Sequence, residues 1–223
     1  DIGSEMSVLR GTPQSILRGS LTGFPYVTFD NGGFGGHPGS EGFVRWSQTA
    51  IFTPIYRSHS AQAVQERYPW VYGSDAEEII KQMNILRYKL IPYTYSNFWQ
   101  TYNQGIPIMR PMNMEFSEDY IFNQENQEQL AYQWMYGENL LVAPILENKP
   151  DTGTSTTTIY LPNGTWIDFF TGERYSGGQE IEYDLSKQSG LYGIDNNWEA
   201  VPVFQKENSI IPLYKNTRQH IKD

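Results

Sequence analysis

Two textures of apolar and polar positions succeed one another along the chain. In residues 4–22, Val8, Leu9, Ile16, Leu17 and Leu21 recur at helical spacing, so a helix is predicted there, with Ser4 as N-cap and Pro13 as a kink. Residues 24–29 form a short aromatic and β-branched run, which predicts a buried strand ending on Asp30 and a glycine-rich turn around Phe34. Residues 40–52 predict a second helix with Phe43, Trp46 and Phe52 on its apolar positions, and residues 53–60 an extended stretch around Pro54. A long helical pattern over 74–104 is broken at Pro92 and closed by Gly105. A second buried strand is predicted over 106–112 and a helix over 126–136, followed by the apolar run 140–144. Helices alternating with buried strands are the pattern of a β/α architecture.

Beyond about Pro144 the apolar spacing shortens to two. Residues 154–161 and 166–170 predict paired strands around a hairpin turn at 162–165, and 171–174 the next turn. Residues 180–185 and 201–213 add strand candidates, with a polar loop at 187–199 between them. This part reads as an antiparallel β-sandwich. The division expected on these grounds is 1–139 for an α/β part and 140–223 for an all-β part.

Composition narrows the chemistry. Charged residues make up only 18% of the 223 and aromatics 15%, which describes a folded chain with aromatic-lined surfaces rather than a disordered one. A net charge of −9 without any basic patch argues against nucleic acid and against an anionic membrane as partner. With no cysteine, thiol catalysis and disulfides are excluded. His37, His59 and His220 lack the spacing of metal ligands, and the glycines at 32, 33, 35 and 36 lack the dinucleotide fingerprint, so no metal and no cofactor is expected. The chain begins on Asp1 without a Met, the mark of a fragment or a processed piece.

Asp30 is the first candidate for chemistry. An ionised carboxylate at the end of a buried strand must be paired or working, although the same residue also suits the start of a turn. Arg45, among the aromatics of its helix, requires a carboxylate partner.

Several stretches together resemble glycoside hydrolase family 31, the α-glucosidase and α-xylosidase family. They are Asp30-Asn-Gly-Gly-Phe34, Arg45-Trp-Ser-Gln48, Tyr56-Arg-Ser-His59, Met109-Arg-Pro111, Leu140-Leu-Val-Ala-Pro144, the run from Tyr160 to Trp166, Phe170-Thr-Gly172 and Ile210-Ile-Pro212. They occur in the family's order and cover nearly the whole chain. The resemblance implies the last part of a (β/α)8 barrel followed by a proximal β-sandwich. It further implies a retaining double displacement on α-glucosides, hydrolytic or transferring, with two carboxyls about 5–5.5 Å apart. Asp1, just ahead of the first helix, stands where the family carries its acid/base. The nucleophile motif has no match here, so an upstream part of the same barrel is an implied partner beside the α-linked oligosaccharide.

The same resemblance assigns His59 to sugar hydroxyls, Phe34 to the lining of the −1 subsite and Asp30 to orienting that pocket. Arg45, Trp46 and Arg57 are implied as supporting residues behind it. Asn31 departs from the usual Ile and Gly42 from a frequent Leu. A non-catalytic sugar-binding protein, an α-xylosidase and an unrelated β/α binding domain are the alternatives. A secreted or cell-surface location is favoured over a cytoplasmic one.

Overall fold

The structure, a computed structural model, describes residues 2–119, 129–149, 155–194 and 196–217. Asp1, Thr154, His220 and the first positions of the helix expected over 126–136 lie outside the described residues.

Helix α1 (Met6–Leu21) buries Leu9, Thr12, Ile16 and Leu17 on one face and runs on through Pro13. Packing along that face outweighs the one backbone bond that proline removes. Glu5, not Ser4, holds the N-cap position. Helix α2 (Gly39–Ala50) is buried from Gly42 onward. The long helical pattern splits as its proline requires, into α3 (Ser74–Lys89) and α4 (Ile91–Gln104). Pro92 lies in the first turn of α4, where its missing N–H costs nothing, and Gly105 caps the end in the left-handed conformation.

The strand expected over 24–29 forms no ladder. The segment is extended, and its pairing is a single parallel bridge between Asn31 and Ser58, supported by Asn31 N–H donating to the Arg57 carbonyl at 3.0 Å. Phe24 is 67% exposed, whereas Phe29 is buried against Trp46. A buried parallel strand needs a neighbour at each edge. Among the described residues, 24–31 make a β-bridge only to the 55–58 segment, so the ring of strands of a barrel is not closed here.

The remaining strands build two antiparallel sheets. The expected strand 106–112 shrinks to β1 (Met109–Pro111), which pairs with β2 (Trp134–Tyr136). β2 stands where a helix was expected; a 3-10 turn at Gln129–Tyr132 precedes it. Trp134, Met135 and Tyr136 are all buried, so no polar position betrays a period of two. Next come β3 (Leu140–Val142), β4 (Thr156–Leu161), β5 (Thr165–Asp168), β6 (Arg174–Ser176), β7 (Gln179–Asp184) and β8 (Val203–Lys206). One sheet has the order β1-β2-β3-β8-β5-β6; the other is β4-β7.

The hairpin expected at 162–165 is instead a crossover. β4 pairs with β7, and β5 pairs with β6 and β8, so the Pro162 turn carries the chain from one sheet to the other. The division expected at 139/140 runs through the middle of the larger sheet, because β1 and β2 precede it and β3 follows it.

That sheet serves two cores. Trp134, Tyr136, Leu140, Val142 and Val203 pack with Leu9, Trp46, Phe52 and Ile80 of the helical part. Met135, Leu141, Trp166 and Phe204 pack with Ile159, Leu161 and Tyr183 of the smaller sheet. Successive residues therefore feed opposite cores, as pleating dictates. Each such side chain contributes roughly 1.5–3 kcal/mol by its burial.

Candidate functional site

Three segments meet at Phe34. Its backbone N–H and that of Gly35 both donate to the Ile2 carbonyl at 3.0 Å, and its own carbonyl accepts from Ala61 N–H at 2.8 Å. The glycine turn thus ties the residue next to Asp1 on one side and the loop after His59 on the other. Gly33 allows this approach: its φ is +79°, and a Cβ there would meet the Gly3 carbonyl oxygen at 2.3 Å. No larger residue fits.

The half-buried Phe34 ring lies 5.5 Å from the exposed His59 imidazole, the planes tilted by 43°. An aromatic face beside a ring with hydrogen-bonding nitrogens offers one apolar and one polar contact, the combination a pyranose presents. Asp30, half-buried at the head of the same turn, accepts from Arg57 Nε at 2.8 Å and from its Nη2. Arg57 itself is about half exposed, so this pair contributes more to orientation than to stability. Its placement follows from the bridge between Asn31 and Ser58, which sets residues 30 and 57 side by side.

Asn31 points away from this cluster. Its side chain is fully buried, and Nδ2 donates to the hydroxyls of Ser47 at 3.0 Å and of Tyr56 and Ser58 at 3.4 Å each. Burial above all pushes the Tyr56 phenol up, so it stays a neutral hydroxyl in that polar knot. The departure from Ile at this position is thus met on the amide nitrogen, while the buried Oδ1 has no hydrogen-bond partner among the described residues.

Arg45 and Trp46 sit deeper. Arg45 Nε lies 3.3 Å from Glu41 Oε1, the carboxylate that its burial demanded. The rest of the guanidinium reaches Gln48 and the carbonyls of Asn197, Trp198 and Ala200. It thereby pins α2 to the 187–199 loop. Glu199 organises that loop from within, its buried carboxylate accepting N–H bonds from Leu191, Tyr192 and Ile194. Trp46 Nε1 donates to the Ser4 carbonyl at 3.0 Å, fixing the start of α1.

The structure therefore sets Phe34 beside His59 and Asp30 beside Arg57, and it buries Arg45 and Trp46 within α2; Asp1 is next in the chain to the anchored Ile2. Sequence reasoning missed Arg67. It is buried and donates to the carbonyls of Gly33, Gly35 and Gly36, bonds that no spacing pattern announces. His37 accepts from Gly39 N–H at the start of α2. Clefts of about 290 and 530 Å³ lie elsewhere, the first between α1 and β4, the second beside Trp70 and α3. Among the described residues no acidic, histidine or cysteine cluster could hold a metal ion, and no helix is long and apolar enough to cross a membrane.

Comparison with known proteins bears on this arrangement. Residues 1–97 match the glycosyl hydrolases family 31 TIM-barrel domain and residues 105–211 the glycosyl hydrolase family 31 C-terminal domain. Alpha-glucosidase 2 of Bacillus thermoamyloliquefaciens is 35% identical over 86% of this chain and 22% of its own length. An alpha-xylosidase of Saccharolobus solfataricus is 32% identical over 96% of this chain and 27% of its own. The cycloalternan-forming enzyme of Listeria monocytogenes, solved with a pentasaccharide substrate, superposes with a TM-score of 0.80 at 29% identity, covering 95% of this chain and 19% of that one. The chain spans about a fifth to a quarter of the length of these relatives. Its two matched regions are consecutive domains of one family, and the chain belongs to glycosyl hydrolase family 31.

Proposed function

We propose that this chain forms part of a retaining α-glycoside hydrolase or transglycosylase acting on α-glucosides of the maltose and isomaltose type. One observation carries the reading: the Phe34 and His59 rings stand 5.5 Å apart, beside the Asp30–Arg57 ion pair. Phe34 covers the apolar face of the sugar in the −1 subsite, and His59 bonds its hydroxyls. Asp30, held by Arg57, orients the pocket floor. Asp1 is the general acid/base: it protonates the leaving oxygen, then deprotonates the water or acceptor hydroxyl that releases the sugar. The nucleophile Asp belongs to an upstream part of the same barrel, which supplies the second carboxyl about 5–5.5 Å away.

The test uses the full-length protein. Maltose and isomaltose should be turned over with retention at the anomeric carbon, followed by NMR. His59→Ala should weaken sugar affinity about 10- to 100-fold, the loss of one or two hydrogen bonds. Inversion of configuration, or unchanged affinity in His59→Ala, sinks the reading.

An α-xyloside is the competing substrate, since one relative is an alpha-xylosidase. Xylose lacks the exocyclic hydroxymethyl group of glucose, so paired p-nitrophenyl α-glucoside and α-xyloside assays separate the two by kcat/KM.

A further inference from the structure

We infer that Arg67 is a positioning residue for sugar binding, setting the Phe34 ring against His59 by holding the peptide plane ahead of Phe34. The link to sugar rests on the function proposed above; the positioning itself does not. The two peptide planes flanking Phe34 are clamped at both ends. In the plane before it, the N–H donates to the Ile2 carbonyl, and the Gly33 carbonyl accepts from Arg67 Nε at 3.2 Å and Nη2 at 3.0 Å. In the plane after it, the carbonyl accepts from Ala61 N–H and the Gly35 N–H donates to Ile2. Three of these four clamps are backbone to backbone. Arg67 supplies the fourth, with a side chain.

Its other donors extend the grip. Nη2 also reaches the Gly35 carbonyl at 3.3 Å and the Gly36 carbonyl at 3.2 Å, and Nη1 reaches the Gln65 carbonyl and the Tyr72 hydroxyl. Arg45, Arg57 and Arg110 each pair with a carboxylate. Among the described residues, the hydrogen bonds of Arg67 go instead to carbonyls and a phenol. A guanidinium that is 6% exposed is thus balanced by dipoles of the turn it holds. The turn is shaped to receive it: Gly32 has φ +86°, and a Cβ there would meet Arg67 Cδ at 2.7 Å. Lysine offers one point of charge and no fork, so it cannot reach these carbonyls together.

Positioning is read without any sugar by NMR. The Phe34 ring current shifts the His59 imidazole protons, assigned through His59→Gln, and Arg67→Met should move those resonances to where Phe34→Ala puts them. Wild-type shifts in Arg67→Met overturn the inference whatever the protein binds. The consequence is read by calorimetry with maltose on the full-length protein, in a nucleophile-free background. Arg67→Met should weaken binding about tenfold, and the double variant with Phe34→Ala should bind within about twofold of Phe34→Ala alone, because there is then no ring left to position. A role in stability alone would make the losses multiply, which also overturns the inference. If Arg67→Met does not fold, Arg67→Lys is measured in the same way, with partial loss expected. Failure of the wild type to bind maltose counts against the proposed function and leaves the NMR result to decide the positioning.

Discussion

In the helical part, extended segments 24–31 and 55–58 touch at one bridge, whereas in the β part every strand of the larger sheet is laddered to its neighbour. Both regions draw on apolar, β-branched and aromatic runs. In the first, Phe24, Tyr26 and Ile55 stay exposed; in the second, Trp134 to Tyr136 and Leu140 to Val142 are wholly buried. The contrast shows that such a run specifies a capacity for pairing, and partners decide whether it becomes sheet. It also separates function from stability: the candidate site sits on the sparsely paired segments, and the burial that holds the chain together sits beneath it.

Substitutions can break that contrast in order of size. Trp166→Ala, in the core between the two sheets, should cost about 3–5 kcal/mol in urea unfolding. A cost under about 1 kcal/mol would mean the smaller sheet is not integral to the fold.

Tyr183→Phe should cost about 1–3 kcal/mol, because the hydroxyl donates to buried Asp168 and accepts from Gln188. Desolvation first, then Asp168, push the Tyr183 phenol up in the folded state. A raised folded value means this contribution is complete below the unfolded tyrosine value near about 10 and declines as pH rises beyond it. Stability of the wild type should therefore fall above about pH 10, and Tyr183→Phe should flatten the fall. Equal slopes would remove Tyr183 from the account.

The smallest effect belongs to the unpaired segment. Phe24→Ala should change stability by no more than about 0.5 kcal/mol in this chain, since the ring is largely in solvent. A loss above about 1.5 kcal/mol would contradict the exposure and erase the contrast between the regions.

Helices were the legible part of the fold. Their periodicity, the break at Pro92 and the stop at Gly105 all follow from local chemistry, and α2 ends within two residues of the expected position. The β part was legible in type but not in pairing. Residues 162–165 carry turn chemistry, yet which sheet a strand joins depends on partners far along the chain, such as β7 for β4. Trp134–Tyr136 was misread because burial on both sides erases the alternation that marks a strand. Asp30, Phe34, Arg57 and His59 were legible as candidates through motifs, and their convergence rests on the bridge from Asn31 to Ser58. Arg67 was not, because its partners are carbonyl oxygens, which every residue owns and no sequence distinguishes.

The position of β8 bears on the order in which the molecule can be made. Val203–Lys206 lies between β3 and β5, so the larger sheet stays in two pieces until the last of its strands leaves the ribosome. The carbonyls of residues 197–200 that complete the surroundings of Arg45 arrive only just before it. At about 5–20 residues per second, α2 waits on the order of 10–30 s for these carbonyls, with only Glu41 and Gln48 of its own helix to meet the guanidinium. The helices can form early during synthesis, but their lock is delivered last, and nascent chains stopped short of Val203 would leave both cores open to chaperones and proteases.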